Sequence, residues 1–344
     1  LDLTYNTDFS QVEADEERVN LTRFPIFFPE KRDFFLENAN IFTFGDINKL
    51  DYRMAPNRYG REFFLFNSRN IGLENGNVIP IIGGGRLTGM IGDFEIGTLG
   101  MQTKGTETSD PTNFGLFRLR KKILERSNIG LIMANKSSSG LSFNQSYGVD
   151  ANLQFFRYLI LYGYHAKTEG SSNDSDNSAS RIAVAWRDDF LNTSFYYKRV
   201  GESFNPELGF IRRTGINELY GTVGVHQQLS NQFIYEINPY LEVNQIEKPT
   251  SEIETQTISA GLDFTFSDGA RMMNKITKNR EGVFYSFPLY GSQIDTGDYY
   301  FTNYTSYFIS NKSRPISATV GLNGGGFYNG NRKSITLKSL FRIG

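Results

Sequence analysis

The chain has 344 residues, with 36 Lys and Arg against 37 Asp and Glu, and carries no cysteine. That near-neutral balance removes the electrostatic case for a nucleic-acid partner, which needs a basic surface. The missing thiols exclude a disulfide scaffold, a Cys-ligated zinc site and a thiol nucleophile.

Composition also points somewhere. Aromatic residues make up 15% of the chain while mean hydropathy is −0.40. No apolar run reaches the roughly 18 residues of a membrane helix. Aromatic-rich yet polar sequence suits an outer-membrane β-barrel, although a soluble sandwich or propeller fits composition equally. Leu1 is not an initiator methionine and no signal peptide is visible, so the chain reads as a mature or truncated product.

Residues 1–61 show no lasting period. An acidic stretch over 8–17 is followed by Phe24-Pro25-Ile26-Phe27-Phe28-Pro29 and by Phe34-Phe35-Leu36. Pro25 and Pro29 interrupt any regular element there. From about residue 62 onward the pattern alternates with period 2, the mark of half-buried strands. In 233–244, Phe233, Tyr235, Ile237, Leu241 and Val243 oppose Glu236, Asn238, Glu242 and Asn244. In 258–267, Ile258, Leu262 and Phe264 oppose Ser259, Asp263 and Thr265. In 156–167, Tyr158, Tyr162 and Tyr164 oppose Arg157, His165 and Lys167, and in 181–187 Ile182 and Val184 oppose Arg181 and Arg187.

Sixteen strands are predicted near 62–73, 79–90, 93–104, 113–122, 127–135, 143–152, 155–168, 180–187, 190–200, 216–228, 232–245, 254–266, 269–280, 297–310, 315–327 and 331–343. Tight turns such as Gly92-Asp93, Asp188-Asp189 and Ser230-Asn231 alternate with longer polar loops at 105–112, 136–142, 169–179, 201–215, 246–253 and 281–296. Transmembrane barrels keep that alternation because their periplasmic turns are tight and their external loops long. The expected fold is therefore all-β, an antiparallel transmembrane outer-membrane barrel over 62–344. An irregular plug or periplasmic cap over 1–61 precedes it, beginning on the periplasmic side.

Several stretches resemble one family of Gram-negative outer-membrane proteins. They are Asp8-Phe9-Ser10-Gln11-Val12-Glu13-Ala14-Asp15, Val19-Asn20-Leu21-Thr22-Arg23-Phe24, Phe28-Pro29-Glu30-Lys31-Arg32 and Phe34-Phe35-Leu36-Glu37. Further matches are Ser68-Arg69-Asn70-Ile71-Gly72, Gly83-Gly84-Gly85-Arg86, Phe204-Asn205-Pro206-Glu207-Leu208-Gly209-Phe210, Thr296-Gly297-Asp298-Tyr299 and Phe327-Tyr328-Asn329-Gly330-Asn331-Arg332. In that family a domain resembling the family-9 carbohydrate-binding module precedes a C-terminal β-barrel of unknown function. The resemblance implies a cell outer-membrane location, a sugar-binding-like domain preceding Leu1 and further strands beyond Gly344. It also implies lipid, other outer-membrane proteins and, through that preceding domain, a saccharide as partners.

Candidate site residues fall into two sets. Arg86, Arg118, Arg120, Lys122, Arg157, His165, Lys167, Arg181 and Arg187, then Glu236, Glu242 and Asp263, are expected on inward faces. They either bias solute passage by sign or pair with the plug and hydrate the interior. Asp8, Glu13, Asp15, Arg23, Glu30, Lys31 and Arg32 are the charged plug residues, read as ion pairs rather than a calcium site. His165 and His226 lack a spaced catalytic partner, so no enzyme activity, metal or cofactor is expected. Gly83-Gly84-Gly85 lacks the following helix and Lys-Ser/Thr pair of a phosphate loop, and reads as a bulge or close backbone approach. A channel or uptake pore for an unidentified solute, one that the resemblance links to carbohydrate, is the leading function expected. A non-catalytic anchor or subunit of a larger outer-membrane assembly is the alternative.

Overall fold

The computed structural model describes residues 1–5, 20, 22–46, 62–74, 77–107, 109–139, 142–170, 175–289 and 291–342. It is all-β in architecture, built on one antiparallel sheet of 17 strands. Two of these, Asp2–Tyr5 and Gln227–Gln228, are short; the rest run 10 to 14 residues. Each long strand pairs with its neighbours in chain order, from Ile81–Ile91 through to Gly330–Phe341. Asp2–Tyr5 lies along Ile81–Ile91, with Asp2 opposite Arg86 and Tyr5 opposite Gly83. The pairings among described residues do not close the sheet into a ring. No helix among them is long and apolar enough to cross a membrane, which says nothing about strands.

Period 2 is what makes these segments strands, because alternate side chains leave opposite faces of a pleat. The predicted positions hold with one exception. No long strand forms over 62–73. Phe63–Phe64 instead makes a two-residue pair with Phe210–Ile211, and a short 3-10 turn covers Ser68–Asn70. The reason is local: Phe63, Phe64 and Leu65 are apolar at consecutive positions and all three are buried. A two-faced wall strand cannot accept such a run, whereas a segment packed on every side can.

That segment belongs to an interior body. Phe35, Phe42, Phe44, Phe63, Leu65 and Ile71 form one buried cluster with inward side chains of the wall, and Phe204 and Leu208 of the 201–215 loop join it. The wall makes room by placing small residues there. A Cβ on Gly97 would lie 2.7 Å from the Phe42 ring, and Gly148 faces the Phe44 ring as closely. Ala166, Ala179, Ala183 and Ala185 are buried on the same face. Gly83 and Gly85 allow the close approach of Asp2–Tyr5, since a Cβ there would meet Thr4 O and the Leu3 side chain at 2.9 Å. A register irregularity between Ile81 and Gly83 sits beside it, as expected for this glycine run.

The opposite face is apolar and exposed. Ile182, Val184, Phe195, Val223, Leu241, Val243, Ile258 and Leu262 all project outward, as do comparable side chains on nearly every other long strand.

Candidate functional site

Charge enters this molecule through the inward face, where it meets the interior body. The centre is Asp46, whose side chain is 9% exposed between three strands. Its carboxylate accepts from Arg181 Nη1 at 3.0 Å, from Lys198 Nζ at 3.2 Å and from the Tyr164 hydroxyl at 3.0 Å. Lys198 also reaches Glu218 at 2.5 Å, and Glu218 accepts from the Tyr196 hydroxyl at 2.8 Å. Tyr196 and Tyr220 stack with ring centroids 4.9 Å apart, and the Arg181 guanidinium lies 4.0 Å over Tyr196. Tyr220 donates to Glu242 at 3.0 Å, and Glu242 closes on Lys275 at 2.6 Å. One polar belt thus runs from Leu159–Gly170 to Arg271–Val283. Buried charges persist only when paired and hydrogen-bonded like this.

Burial alone would raise the Asp46 carboxyl, but Lys198 and Arg181 outweigh it and hold Asp46 below the usual carboxylate range. Glu62 behaves oppositely: burial raises it although Lys198 and Arg212 lie near.

Three further clamps fix the body. Arg118, fully buried on Thr112–Leu124, forms a bidentate pair with Asp150 at 2.6 and 2.8 Å beneath the Phe44 ring. Arg86 holds Asp2 at 2.7 Å, Glu37 at 3.0 Å and the Phe34 carbonyl at 2.7 Å, tying the end of the helix Asp33–Leu36 to the wall. Arg32 pairs with Glu30 at 2.7 Å and donates to Ser68 O and Ile71 O, while the Ser68 hydroxyl donates to Glu30. Burial acts to raise Glu30, yet Arg32 and Ser68 leave it lowered.

Most expected residues can be placed. Arg86, Arg118, Arg120, Arg181, Arg187, Glu236, Glu242 and Asp263 lie on the inward parity, with Arg120 pairing Glu95 at 2.8 Å and Glu236 meeting His226 Nδ1 at 2.8 Å. Asp263 is buried on the wall beside the backbone of Asn274. Arg23 reaches Glu281 at 3.6 Å and Glu254 at 3.9 Å, and Lys31 is half-buried beside the Glu30–Arg32 pair. Asp8, Glu13 and Asp15, together with the rest of the acidic stretch, fall outside the described residues.

Four expectations need correcting. His165 and Lys167 are exposed on the outward parity, where His165 meets Ser180 at 2.8 Å and Lys167 pairs with Glu169 at 2.9 Å. Tyr162 and Tyr164 take the inward positions instead, because an aromatic interior body offers rings something to pack against. Arg157 is an exposed turn residue with φ of 66°. Lys122 is exposed at the strand end.

Sequence reasoning missed Asp46, Lys198 and Glu218, the acid–base core of the belt, and Asp150, the partner of Arg118. Asp150, Lys198 and Glu218 carried a usable signal: each occupies the same alternate register as buried Ser146, Ser194 and Thr222 of its own strand. Among the described residues no group of three or more His, Asp or Glu is placed to hold a metal ion.

Residues 1–48 match a family described as a domain of unknown function, DUF5916. The matched residues include Asp8–Asp15 and Phe34–Glu37 of the sequence blocks above. Comparison with curated proteins returns no match.

Proposed function

We propose that this chain forms the wall and interior plug of an outer-membrane β-barrel that passes a small polar solute. One observation carries the reading: the sheet is inside-out relative to a soluble sandwich. Its inward face buries Arg118, Arg181, Lys198, Glu218 and Glu242, while Ile182, Leu241, Ile258 and Leu262 face outward and exposed. Water offers no reason for an apolar face of that extent, but a bilayer does. Strand lengths of 10 to 14 residues match a tilted membrane crossing.

Sidedness follows from the turns. Ile81–Ile91 leads into the tight turn at Gly92, and Asp2–Tyr5 runs antiparallel to it. With tight turns periplasmic, Asp2–Tyr5 rather than 62–73 is the first outward-running strand. The reading also requires that the wall be completed in lipid, where an unpaired strand edge leaves backbone groups unsatisfied.

Single-channel recording in planar bilayers tests the pore. The intact chain is expected to conduct weakly, and the doubly substituted Asp46→Asn, Arg86→Gln chain, whose interior body is loosened, to conduct more. Silence from both overturns the pore.

A second reading, a non-catalytic anchor or a subunit of a larger outer-membrane assembly, is supported by the exposed apolar outer face, where Ile182, Leu241 and Ile258 offer a surface that another outer-membrane protein would cover as readily as lipid. Stoichiometric co-purification of another outer-membrane protein is the outcome that favours it over conduction.

A further inference from the structure

The interior body packs densely against the first half of the wall but leaves a cavity of about 530 Å³ against the second. The cavity lies at the long-loop end, between residues 22–24 and the inward faces of Ile234–Glu247 through Gly330–Phe341. Its lining is unbalanced in charge, with Arg23, Arg212, Arg213 and Arg332 set against Glu62 and Glu281. We propose that it binds the carboxylate of an organic acid whose apolar part rests on the rings of Phe327 and Tyr328. This deepens the pore reading by naming the charge of the solute.

The two carboxylates do not cancel the four guanidiniums. Glu62 accepts from Arg212 Nη1 at 2.9 Å, and Glu281 accepts from the Thr255 hydroxyl at 3.2 Å with Arg23 at 3.6 Å. Both terminal nitrogens of Arg23 are enclosed and make no hydrogen bond, so Arg23 adds field to the cavity rather than a contact. Glu254, outside the lining, meets Arg213 at 3.2 Å, but Lys248 matches its charge at 3.3 Å. The cationic surplus therefore stays with the cavity.

Two of the cations hold donors that a solute can reach. The Arg213 guanidinium lies 3.7 Å over the Phe24 ring, and its Nη1 donates to Glu254 and, at 3.0 Å, to the Thr255 hydroxyl. Ring and anchor fix its direction, while its Nη2 donates to no described residue and is not enclosed. Arg332 is exposed, makes no hydrogen bond or ion pair among the described residues, and lies 4.8 Å over the Phe327 ring. Its partner across the sheet is Gly325, which has no side chain to cover it. Its fork is therefore open to a carboxylate, which a guanidinium takes through two parallel bonds. Rings supply the apolar part: Phe327 and Tyr328 meet edge to face at 5.0 Å, with Phe301 at 6.0 Å from Tyr328. An inorganic anion would leave those rings unused, and an uncharged solute would leave the surplus unpaired.

Calorimetric titration of the detergent-solubilised full chain with benzoate tests the site. Saturable binding is expected, with benzamide, its uncharged counterpart, weaker by about 10-fold or more. Arg332→Gln removes the open fork from an exposed side chain that anchors nothing else, and is expected to weaken benzoate by about 10-fold, the loss of a charge-assisted hydrogen bond. Arg332→Lys, which keeps the charge without the fork, is expected to recover part of that loss. No saturable heat with benzoate, benzamide binding as tightly, or benzoate binding unaltered in Arg332→Gln overturns the proposal. Displacement of benzoate by an equal concentration of inorganic phosphate overturns it as well. Benzoate binding by a chain that never conducts retires the pore and keeps the site, and conduction without benzoate binding does the reverse.

Discussion

At the residue scale the molecule is governed by what Asp46 does for two buried cations. Arg181 and Lys198 both lie within 3.2 Å of it, and both cations are buried. Asp46→Ala leaves two buried cations with only Glu218 in direct contact with Lys198 and no carboxylate in contact with Arg181 among the described residues. Removing one partner of such a group typically costs about 3–5 kcal/mol. That loss is expected as a lower denaturant midpoint for the detergent-folded chain, with Asp46→Asn losing less than Asp46→Ala.

Acid gives a second check at the same scale. Asp46 and Glu30 both have carboxyls held below their unfolded values. A depressed carboxyl stabilises the folded state above its unfolded pKa of roughly 4, and that contribution fades as pH falls through the folded value. Unfolding midpoints are therefore expected to decline once the pH drops below about 4. A midpoint that rises on acidification over that window contradicts the assignment.

At the element scale the fold depends on small residues in the wall facing rings in the body. Gly148→Leu would force a side chain into the space of Phe44, and Gly97→Leu into that of Phe42. Overpacking of this kind costs typically about 1–3 kcal/mol. Both are expected to speed cleavage within 22–46 in limited proteolysis while far-ultraviolet dichroism keeps its sheet signal. Unaltered cleavage would show that these glycines are not there to admit the rings.

Fifteen of the sixteen predicted strands were legible from alternation, since period 2 is a property of the local chain. Facing was harder to read. Along 156–167 the aromatic side looked lipid-facing and the charged side looked inward, as polarity alone suggests. The structure reverses this because Tyr162 and Tyr164 meet Phe44, Phe63 and Asp46. Those partners come from more than 100 residues earlier in the chain, as the Tyr162–Gly45 separation of 117 illustrates. No local pattern reports such a contact. Along 234–247 the interior body packs less densely, and there polarity indicated the inward face correctly, with Glu242 and Asn244 buried. The candidate site was half legible for the same reason: wall residues such as Arg86 and Arg118 stood out, while Asp46 did not.

At the scale of the whole molecule one asymmetry organises everything. The first half of the wall is packed against a body rich in phenylalanine, and the second half keeps a polar cavity at the long-loop end. The outer face is apolar around both halves. Placing Arg at Leu241, which faces outward and is exposed, is expected to impair insertion into lipid vesicles by about 2–4 kcal/mol if the position lies at mid-bilayer. The same change leaves a water-soluble sheet unaffected, because an exposed Arg costs nothing there.

Lipid contact on alternate residues is the claim from which pore, plug and sidedness all descend, and the absence of native cysteine makes it directly measurable. Single cysteines placed at each position of 235–244 would carry a nitroxide in vesicle-reconstituted protein, read by oxygen and by a water-soluble nickel relaxant. The expected record is a two-residue oscillation, with oxygen access high at Tyr235, Ile237, Leu241 and Val243 and low at Asn238, Glu242 and Asn244. Nickel access that is high at Leu241 and Val243, or a record with no alternation, would contradict the account.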